Sequence, residues 1–132
     1  MEVRYLTVKE VIFLNHHQIK AYTPGEMMGV KDMGMLESAV ERPRQSVLGR
    51  DAYDTLELKA AALYQSLAKN HPFHNANKRT AFASLYMFLR LNGKELDVPP
   101  KLAEDFTVNI VTDKSIGLHD IAVWIEDFIQ KD

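Results

Sequence analysis

The stretch HPFHNANKRTAFASLYMFLRLNG, residues 71–93, joins a short polar motif to a long apolar run. The run from 81 to 92 is apolar on nearly every side of a helix, and Gly93 follows it as a residue typical of the position just after a helix. A helix of this kind belongs in the middle of a helical bundle. The stretch therefore predicts a central apolar helix with the polar motif at its entrance.

Capping patterns indicate where the helices before it begin. Thr7 and Glu10 match a capping box at the start of a helix from about 8 to 21, in which apolar residues follow helical spacing. Asp32 can cap a short helix over 33–42.

The remaining helices are predicted in the same way. Asp54 with Glu57 matches another capping box, and an apolar stripe continues from there to a helix end near Asn70. Pro100 suits the first turn of a further helix, and residues 119–130 supply a final amphipathic one. The segment 43–54 lacks a helical period and reads as a loop or a short β-hairpin, and a short strand near 3–6 is the other candidate for β-structure. The class is all-α, with about six helices.

Length and composition bound what the protein can be. With 132 residues, of which 46% are hydrophobic, the chain suits one globular domain over residues 1–132. Its 16 basic and 18 acidic residues nearly balance, so no overall field gathers nucleic acid or anionic lipid. It has no cysteine, no apolar run near the ~20 residues that span a bilayer, and no export signal in its first residues. These features predict a cytoplasmic protein without disulfides.

The polar motif lies where a helix entrance can bind an anion. If the central helix begins near Asn77, its first backbone N–H groups point outward unpaired at the positive end of the helix dipole. Ala76 is small enough for the backbone to approach a phosphate closely, while Lys78 and Arg79 add two cations. Asn77 can either cap the helix or donate to a phosphate. Cations are unusual in a first helical turn, since the dipole disfavours them, and this misfit favours a binding role.

His71 stands a few residues before this helix entrance. Its imidazole is the nearby side chain whose ordinary pKa allows it to accept a proton near neutral pH. A base beside a phosphate cradle indicates phosphoryl or nucleotidyl transfer, in which the base takes the proton of an attacking hydroxyl. Pro72 and Phe73 are interpreted as structural, with the ring holding the loop to the core.

Other interpretations of these residues remain open at this point. Lys78 and Arg79 can form a solvated helix face, and His71 can be an ordinary loop histidine. His71 and His74 can also be a metal-binding pair, although no carboxylate lies nearby in the sequence as a third ligand.

The nonapeptide HPFHNANKR, residues 71–79, resembles the signature of the Fic/Doc superfamily, and in particular that of its death-on-curing (Doc) branch. The general signature is H-P-F-x-(D/E)-G-N-G-R, and that of the branch is H-x-F-x-D-(A/G)-N-K-R. Further similarity to the branch is found in YLTVKEV (5–11), GMLESAVERP (34–43), LAKN (67–70) and FLRLNG (88–93). The resemblance covers most of the chain and implies a compact Fic-like helical bundle with a short flap.

The resemblance implies a role for each residue of the motif. His71 matches the family's catalytic histidine, and Asn77 and Arg79 match residues that hold the nucleotide phosphates. Lys78 stands where AMP-transferring Fic enzymes have glycine. A lysine there characterises Doc-type kinases, in which the nucleotide is believed to bind reversed so that the γ-phosphate is transferred. Phe82 stands where the Fic pattern has a second arginine, as in the Doc branch.

Asn75 departs from the family pattern. The family has an acidic residue here that holds Mg²⁺ on the phosphates, whereas Asn75 offers a neutral amide oxygen. Mg²⁺ prefers charged oxygen but keeps several waters and binds largely through substrate phosphates. We therefore expect a weakened metal site. ATP and Mg²⁺ are the cofactors that the resemblance implies.

The resemblance also bears on partners. The segment 44–53 falls where the family carries a flap that aligns a target segment by strand pairing, although it can equally be an ordinary connector. No Ser or Thr is followed four residues later by Glu, so the inhibitory helix motif of many Fic proteins is lacking. In the Doc branch, restraint comes instead from a small antitoxin whose disordered C-terminal part folds into a groove on the toxin.

Together these features predict the toxin of a type II toxin–antitoxin system that is a Doc-type protein kinase. The resemblance implies transfer of the ATP γ-phosphate to a Ser or Thr hydroxyl of a translation elongation factor similar to elongation factor Tu, which inhibits protein synthesis. A Fic-type protein adenylyltransferase is the alternative within the same class. A catalytically impaired protein that only binds its antitoxin, for example as a co-repressor, is the alternative from another class. The near-neutral charge argues against a nucleic-acid-binding module.

Overall fold

The structure is a computed structural model and describes residues 2–131. In chain order these residues form α1 (Val8–Tyr22), α2 (Met33–Glu41), a 3₁₀ turn (Arg42–Arg44), β1 (Ser46–Val47), β2 (Arg50–Asp51), α3 (Leu56–Asn70), α4 (Asn77–Leu91), α5 (Pro100–Thr112) and α6 (Leu118–Phe128). The prediction of a compact all-α, Fic-like bundle of about six helices is confirmed. None of the helices in this described part combines the length and apolar character that crossing a bilayer requires.

Capping bonds begin α1 and α2 where the sequence predicted them. The Glu10 N–H donates to the Thr7 hydroxyl at 3.2 Å, and the Thr7 N–H donates to the Glu10 carboxylate at 2.8 Å, so the capping box is complete. The Met35 N–H donates to the Asp32 carboxylate at 3.0 Å. Each bond satisfies a backbone donor that has no partner within the helix.

The capping box predicted from Asp54 and Glu57 is wrong. The N-cap of α3 is Thr55, whose hydroxyl accepts from the Leu58 N–H at 3.1 Å. Because α3 begins at Leu56, Thr55 is its N-cap and Leu58 its third residue. The N–H that a capping side chain accepts is therefore bonded by the Thr55 hydroxyl. Asp54 lies one residue too early.

The core forms around α3 and α4. α3 contacts α2, the 3₁₀ turn, α4, α5 and α6, and α4 also contacts α1 and α5. One face of α4 is fully buried, with Ala81, Leu85, Phe88 and Leu89 at 0% exposure. The other face is only half-buried; its residues are Phe82, Ala83, Tyr86 and Met87. The apolar helix predicted from the sequence therefore packs inside the bundle on one side and borders a groove on the other.

The β-structure is confined to the hairpin of β1 and β2, where Ser46 pairs with Asp51 and Val47 with Arg50. Leu48 and Gly49 form its two-residue turn with φ of 52° and 77°, the positive values that tight hairpins require. Lys59 of α3 is only 3% exposed, and its ammonium donates to the Asp51 carboxylate at 3.0 Å, which ties the hairpin to the core. Whether this hairpin aligns a target segment stays a prediction.

Residues 3–6, the other candidate strand, do not form one. The backbone of Arg4 instead bonds the Asn92 side chain at the end of α4. The Arg4 N–H donates to Asn92 Oδ1 at 2.9 Å, and Asn92 Nδ2 donates to the Arg4 carbonyl at 2.9 Å. The Asn92 amide thus offers the donor and acceptor that a neighbouring strand would provide.

Candidate active site

The candidate site is built on the loop 71–76 between α3 and α4. His71 caps the C-terminus of α3 with φ 47° and ψ 56°, and Ala76 is the N-cap of α4 with φ 62° and ψ 30°. Both residues are in the left-handed region, which costs a residue with a Cβ on the order of 1–2 kcal/mol. Contacts from elsewhere in the fold must therefore hold this loop.

The segment that precedes α2 supplies several of these contacts. The Lys31 and Asp32 N–H groups both donate to the Pro72 carbonyl, at 2.8 and 3.1 Å. The His74 N–H donates to the Gly29 carbonyl at 3.1 Å. The loop thus pairs with this segment along its backbone, as an isolated β-bridge does.

Asn77 closes the loop with its side chain. Its Oδ1 accepts from the Phe73 N–H and its Nδ2 donates to the Phe73 carbonyl, each at 2.9 Å. Asn77 therefore does not cap α4, and that interpretation was wrong because the side chain turns back to the loop instead of forward to the helix. Pro72 and Phe73 are buried, so the loop is also anchored in the core. The second N–H of Asn77 Nδ2 makes no hydrogen bond within residues 2–131.

The N-terminus of α4 is open to an anion. Its N-cap is Ala76, and no side chain in the described residues caps this helix end. The first backbone N–H groups of α4 therefore lie at the positive end of the helix dipole without a capping acceptor. Lys78 is exposed there, and Ala76 and Asn77 are half-buried. Three of the residues predicted to bind phosphate thus lie together at one helix entrance.

Arg79, the fourth of these residues, is held by the end of α1 and the loop after it. Its guanidinium donates to the Gln18 carbonyl at 3.1 Å and to the Thr23 hydroxyl at 3.0 Å, and it pairs with the Glu26 carboxylate at 3.1 Å. The side chains of Arg79 and Glu26 are 32% and 38% exposed, so this ion pair contributes at most about 1 kcal/mol. A phosphate that binds Arg79 has to displace Glu26 or share the guanidinium with it. Nothing in the sequence analysis singled out Glu26.

The His71 imidazole is half-buried beside the helix entrance. Burial is the main cause that lowers the pKa of His71, and the positive charges of Lys78 and Lys31 lower it further. His71 ends α3 and Lys78 lies in the first turn of α4, with the loop 72–76 between them. A histidine with a lowered pKa is uncharged at neutral pH and can accept a proton, as a general base must.

Asn75 uses its side-chain amide within the fold. Its Nδ2 donates to the Met27 carbonyl at 3.0 Å, which leaves Oδ1 as the atom that can face a metal ion. Residues 2–131 contain no group of three His, Cys, Asp or Glu side chains placed to hold a metal, and the pair of His71 and His74 gains no third ligand there. One neutral oxygen does not fit a Mg²⁺ ion held by the protein itself, which usually needs at least one carboxylate.

A groove of about 780 Å³ begins beside the helix entrance. Lys78 and Arg79 line one end of it, whereas His71 and Asn75 do not line it. Its walls are mostly apolar and include Leu14 of α1, Phe82, Ala83 and Met87 of α4, and Ala103 and Val108 of α5. The sequence analysis did not predict this groove, although the apolar face of α4 that lacks a cover was a signal for it.

Replacing Lys78 by methionine is expected to raise the pKa of His71, because a nearby positive charge disfavours protonation of the imidazole. The pKa should stay below the ordinary value of 6.5, since burial is the larger cause of its decrease. NMR titration of the His71 ring signals measures this change. Lys114→Met removes an exposed charge from the loop before α6 and serves as the control, with no expected change. An unchanged pKa in the Lys78→Met protein would show that the two side chains do not interact.

Replacing Asn75 by aspartate is expected to lower the free energy of unfolding by about 1 kcal/mol. The aspartate cannot donate to the Met27 carbonyl and places a negative charge beside it. Urea denaturation measures the loss. Asn75→Ala removes the same bond without adding a charge and should be destabilised less. If Asn75→Asp has the same free energy of unfolding as the wild type, the hydrogen bond to Met27 does not contribute to stability.

Comparison with known proteins identifies the family of this chain. Residues 5–89 match the sequence profile of the Fic/DOC family. Over 106 residues, or 79% of this chain and 81% of the relative, the chain is 44% identical to the protein named Toxin Doc from Mycolicibacterium smegmatis. Over 110 residues, or 83% of this chain and 84% of the relative, it is 36% identical to Protein kinase doc from Escherichia phage P1. The chain belongs to the Fic/DOC family.

Proposed function

We propose that the protein is the toxin of a type II toxin–antitoxin pair and that it is a Doc-type protein kinase. It transfers the γ-phosphate of ATP to a Ser or Thr hydroxyl of a translation elongation factor similar to elongation factor Tu, and so inhibits protein synthesis in the cytoplasm. The observation that carries this proposal is that the short loop 72–76 joins His71, at the end of α3, to the uncapped N-terminus of α4, where Lys78 lies in the first turn. The names of the two relatives, a toxin and a protein kinase, support it.

In this proposal the ATP phosphates bind at the start of α4. The unpaired N–H groups of its first turn donate to phosphate oxygens, and Ala76 leaves room for that approach. The Lys78 ammonium adds a positive charge, and Asn77 donates its remaining side-chain N–H. Arg79 joins when the phosphate displaces Glu26, which is favourable because an exposed ion pair is weak and a triphosphate carries several charges.

His71 is the base for the transfer. It takes the proton from the Ser or Thr hydroxyl as the hydroxyl oxygen forms its bond to the γ-phosphorus. The bond between the γ-phosphorus and the oxygen that bridges to the β-phosphate breaks, and ADP leaves. Because Asn75 gives the site no carboxylate, a Mg²⁺ ion would be held by the ATP phosphates, and Lys78 and the helix N-terminus would provide most of the protein's share of charge stabilisation.

Lys78 favours γ-phosphoryl transfer over AMP transfer. A glycine at this position would let the backbone lie directly against a phosphate, whereas a lysine occupies that space and adds a charge. The neutral Asn75, in contrast, favours the second candidate function, a catalytically impaired protein that acts only through its antitoxin. Fic-type adenylyl transfer is the third candidate, and an assay has to distinguish it from kinase activity and from antitoxin binding alone.

Incubation with γ-labelled ATP and a cell lysate is expected to label one protein, and His71→Ala should lower the labelling rate by about 10²–10⁴-fold. His119→Ala, which alters an exposed histidine of α6, is the matched control and should label normally. Label from α-labelled ATP would show AMP transfer instead. No label from either nucleotide, together with normal growth of cells that express the protein alone, would favour the binding-only candidate.

We further propose that the groove beside α4 binds the antitoxin. Its apolar walls suit the anchor residues of a segment that is disordered in isolation and folds on binding. Two large apolar side chains at this surface are exposed, namely Tyr22 and Val108, at 69% and 38%. Tyr22 and Val108 line the groove itself. Because Lys78 and Arg79 lie at one end, an antitoxin in the groove reaches the phosphate site.

Replacing Ala83 by arginine places a long charged side chain in this groove and is expected to weaken antitoxin binding at least about tenfold. The probe is the small protein encoded beside the toxin gene, and titration calorimetry measures the affinity. Val123→Arg introduces the same side chain at an exposed apolar position of α6 outside the groove, where no effect is expected. Equal affinities of the two variants would place the antitoxin on another surface.

A further inference from the structure

Asn15 of α1 is a buried polar residue that the sequence analysis did not single out. Its side chain is 0% exposed, and burial of an amide is unfavourable unless hydrogen bonds compensate for it. Asn15 Nδ2 donates to the Asn75 carbonyl at 2.9 Å and to the Thr80 hydroxyl at 3.0 Å, whereas its Oδ1 has no partner in the described residues. The two donated hydrogen bonds are therefore what compensates for burial of this amide. One of them joins α1 to the loop of the candidate site.

The bond to the Asn75 carbonyl fixes the orientation of one peptide plane. The carbonyl of Asn75 and the N–H of Ala76 belong to the same planar trans peptide, so they point in opposite directions. Because Asn15 holds the carbonyl toward the core, the Ala76 N–H points outward. No residue from 2 to 131 accepts a hydrogen bond from it. Ala76 is also the left-handed N-cap of α4, and this conformation needs outside support.

We propose that Asn15 is a positioning residue for the phosphate site. This proposal rests on the function proposed above. Asn15 orients the peptide between Asn75 and Ala76, so that the Ala76 N–H joins the first N–H groups of α4 around a phosphate. Successive N–H groups that converge in this way form a concave anion site. Asn15 does not touch the nucleotide and acts through Ala76.

The principal test replaces Asn15 by leucine, which has a similar volume and cannot donate. The backbone amide signal of Ala76 should move in the NMR spectrum of the free protein, and KM for ATP should rise about tenfold, while KM for the protein substrate stays unchanged. Thr80→Val removes the second partner of Asn15 but keeps the Asn75 bond, and its KM for ATP should stay within about twofold of wild type. Thr107→Val, which removes a buried hydroxyl of α5 that bonds neither Asn15 nor the loop, controls for stability alone.

Several results would overturn the inference. One is that Asn15→Leu changes neither the Ala76 signal nor KM for ATP. Another is that Thr107→Val raises KM for ATP as much as Asn15→Leu does, which would show that Asn15 only stabilises the fold. If Asn15→Leu does not fold, the wild-type protein is titrated with ATP instead. Its Ala76 amide signal must then move, and the inference is rejected if that signal stays in place while other amide signals of α4 move. Failure of the proposed function looks different, because then ATP moves no signal in the wild-type protein while Asn15→Leu still moves that of Ala76.

Discussion

The left-handed backbone at His71 and Ala76 is the constraint on which the site depends. These two residues turn the chain between α3 and α4, so that the imidazole at the end of one helix comes beside the N-terminus of the next. Neither conformation is favourable for a residue with a side chain. The strain is tolerated because the six residues of the loop are bonded from three directions: by Asn77 from α4, by the segment 27–32, and by Asn15 from α1.

α1 and the loop after it support the site from one side. Arg79 joins the end of α1 to the first turn of α4, and Asn15 bonds the Asn75 carbonyl from within the core. The same face of α1 forms one wall of the apolar groove. A partner in that groove would therefore contact both the start of α4 and the helix α1 that supports it. Under the proposed function, this arrangement would couple antitoxin binding to nucleotide binding.

Much of the fold could be predicted because local rules decide it. The capping box of Thr7 and Glu10, the Asp32 cap and the helical spacing of apolar residues involve neighbours within four positions. Predictions went wrong where local patterns compete. Asp54 and Thr55 both precede α3 as possible caps, and only the first residue of the helix decides between them. Capping α4 was one of the two roles that the sequence allowed for Asn77, yet its side chain bonds the loop before the helix.

The sequence by itself determined the helical class, the family and the set of polar residues at the start of α4, since propensity, periodicity and a contiguous motif carry that information. Only the tertiary structure decided that Glu26 pairs with Arg79, that Asn75 bonds Met27, and that Asn15 bonds the Asn75 carbonyl. The partners in these contacts are separated by 48 to 60 positions along the chain. No short pattern encodes such pairs, because they form only when packing of the apolar faces brings α1, its following loop and α4 together.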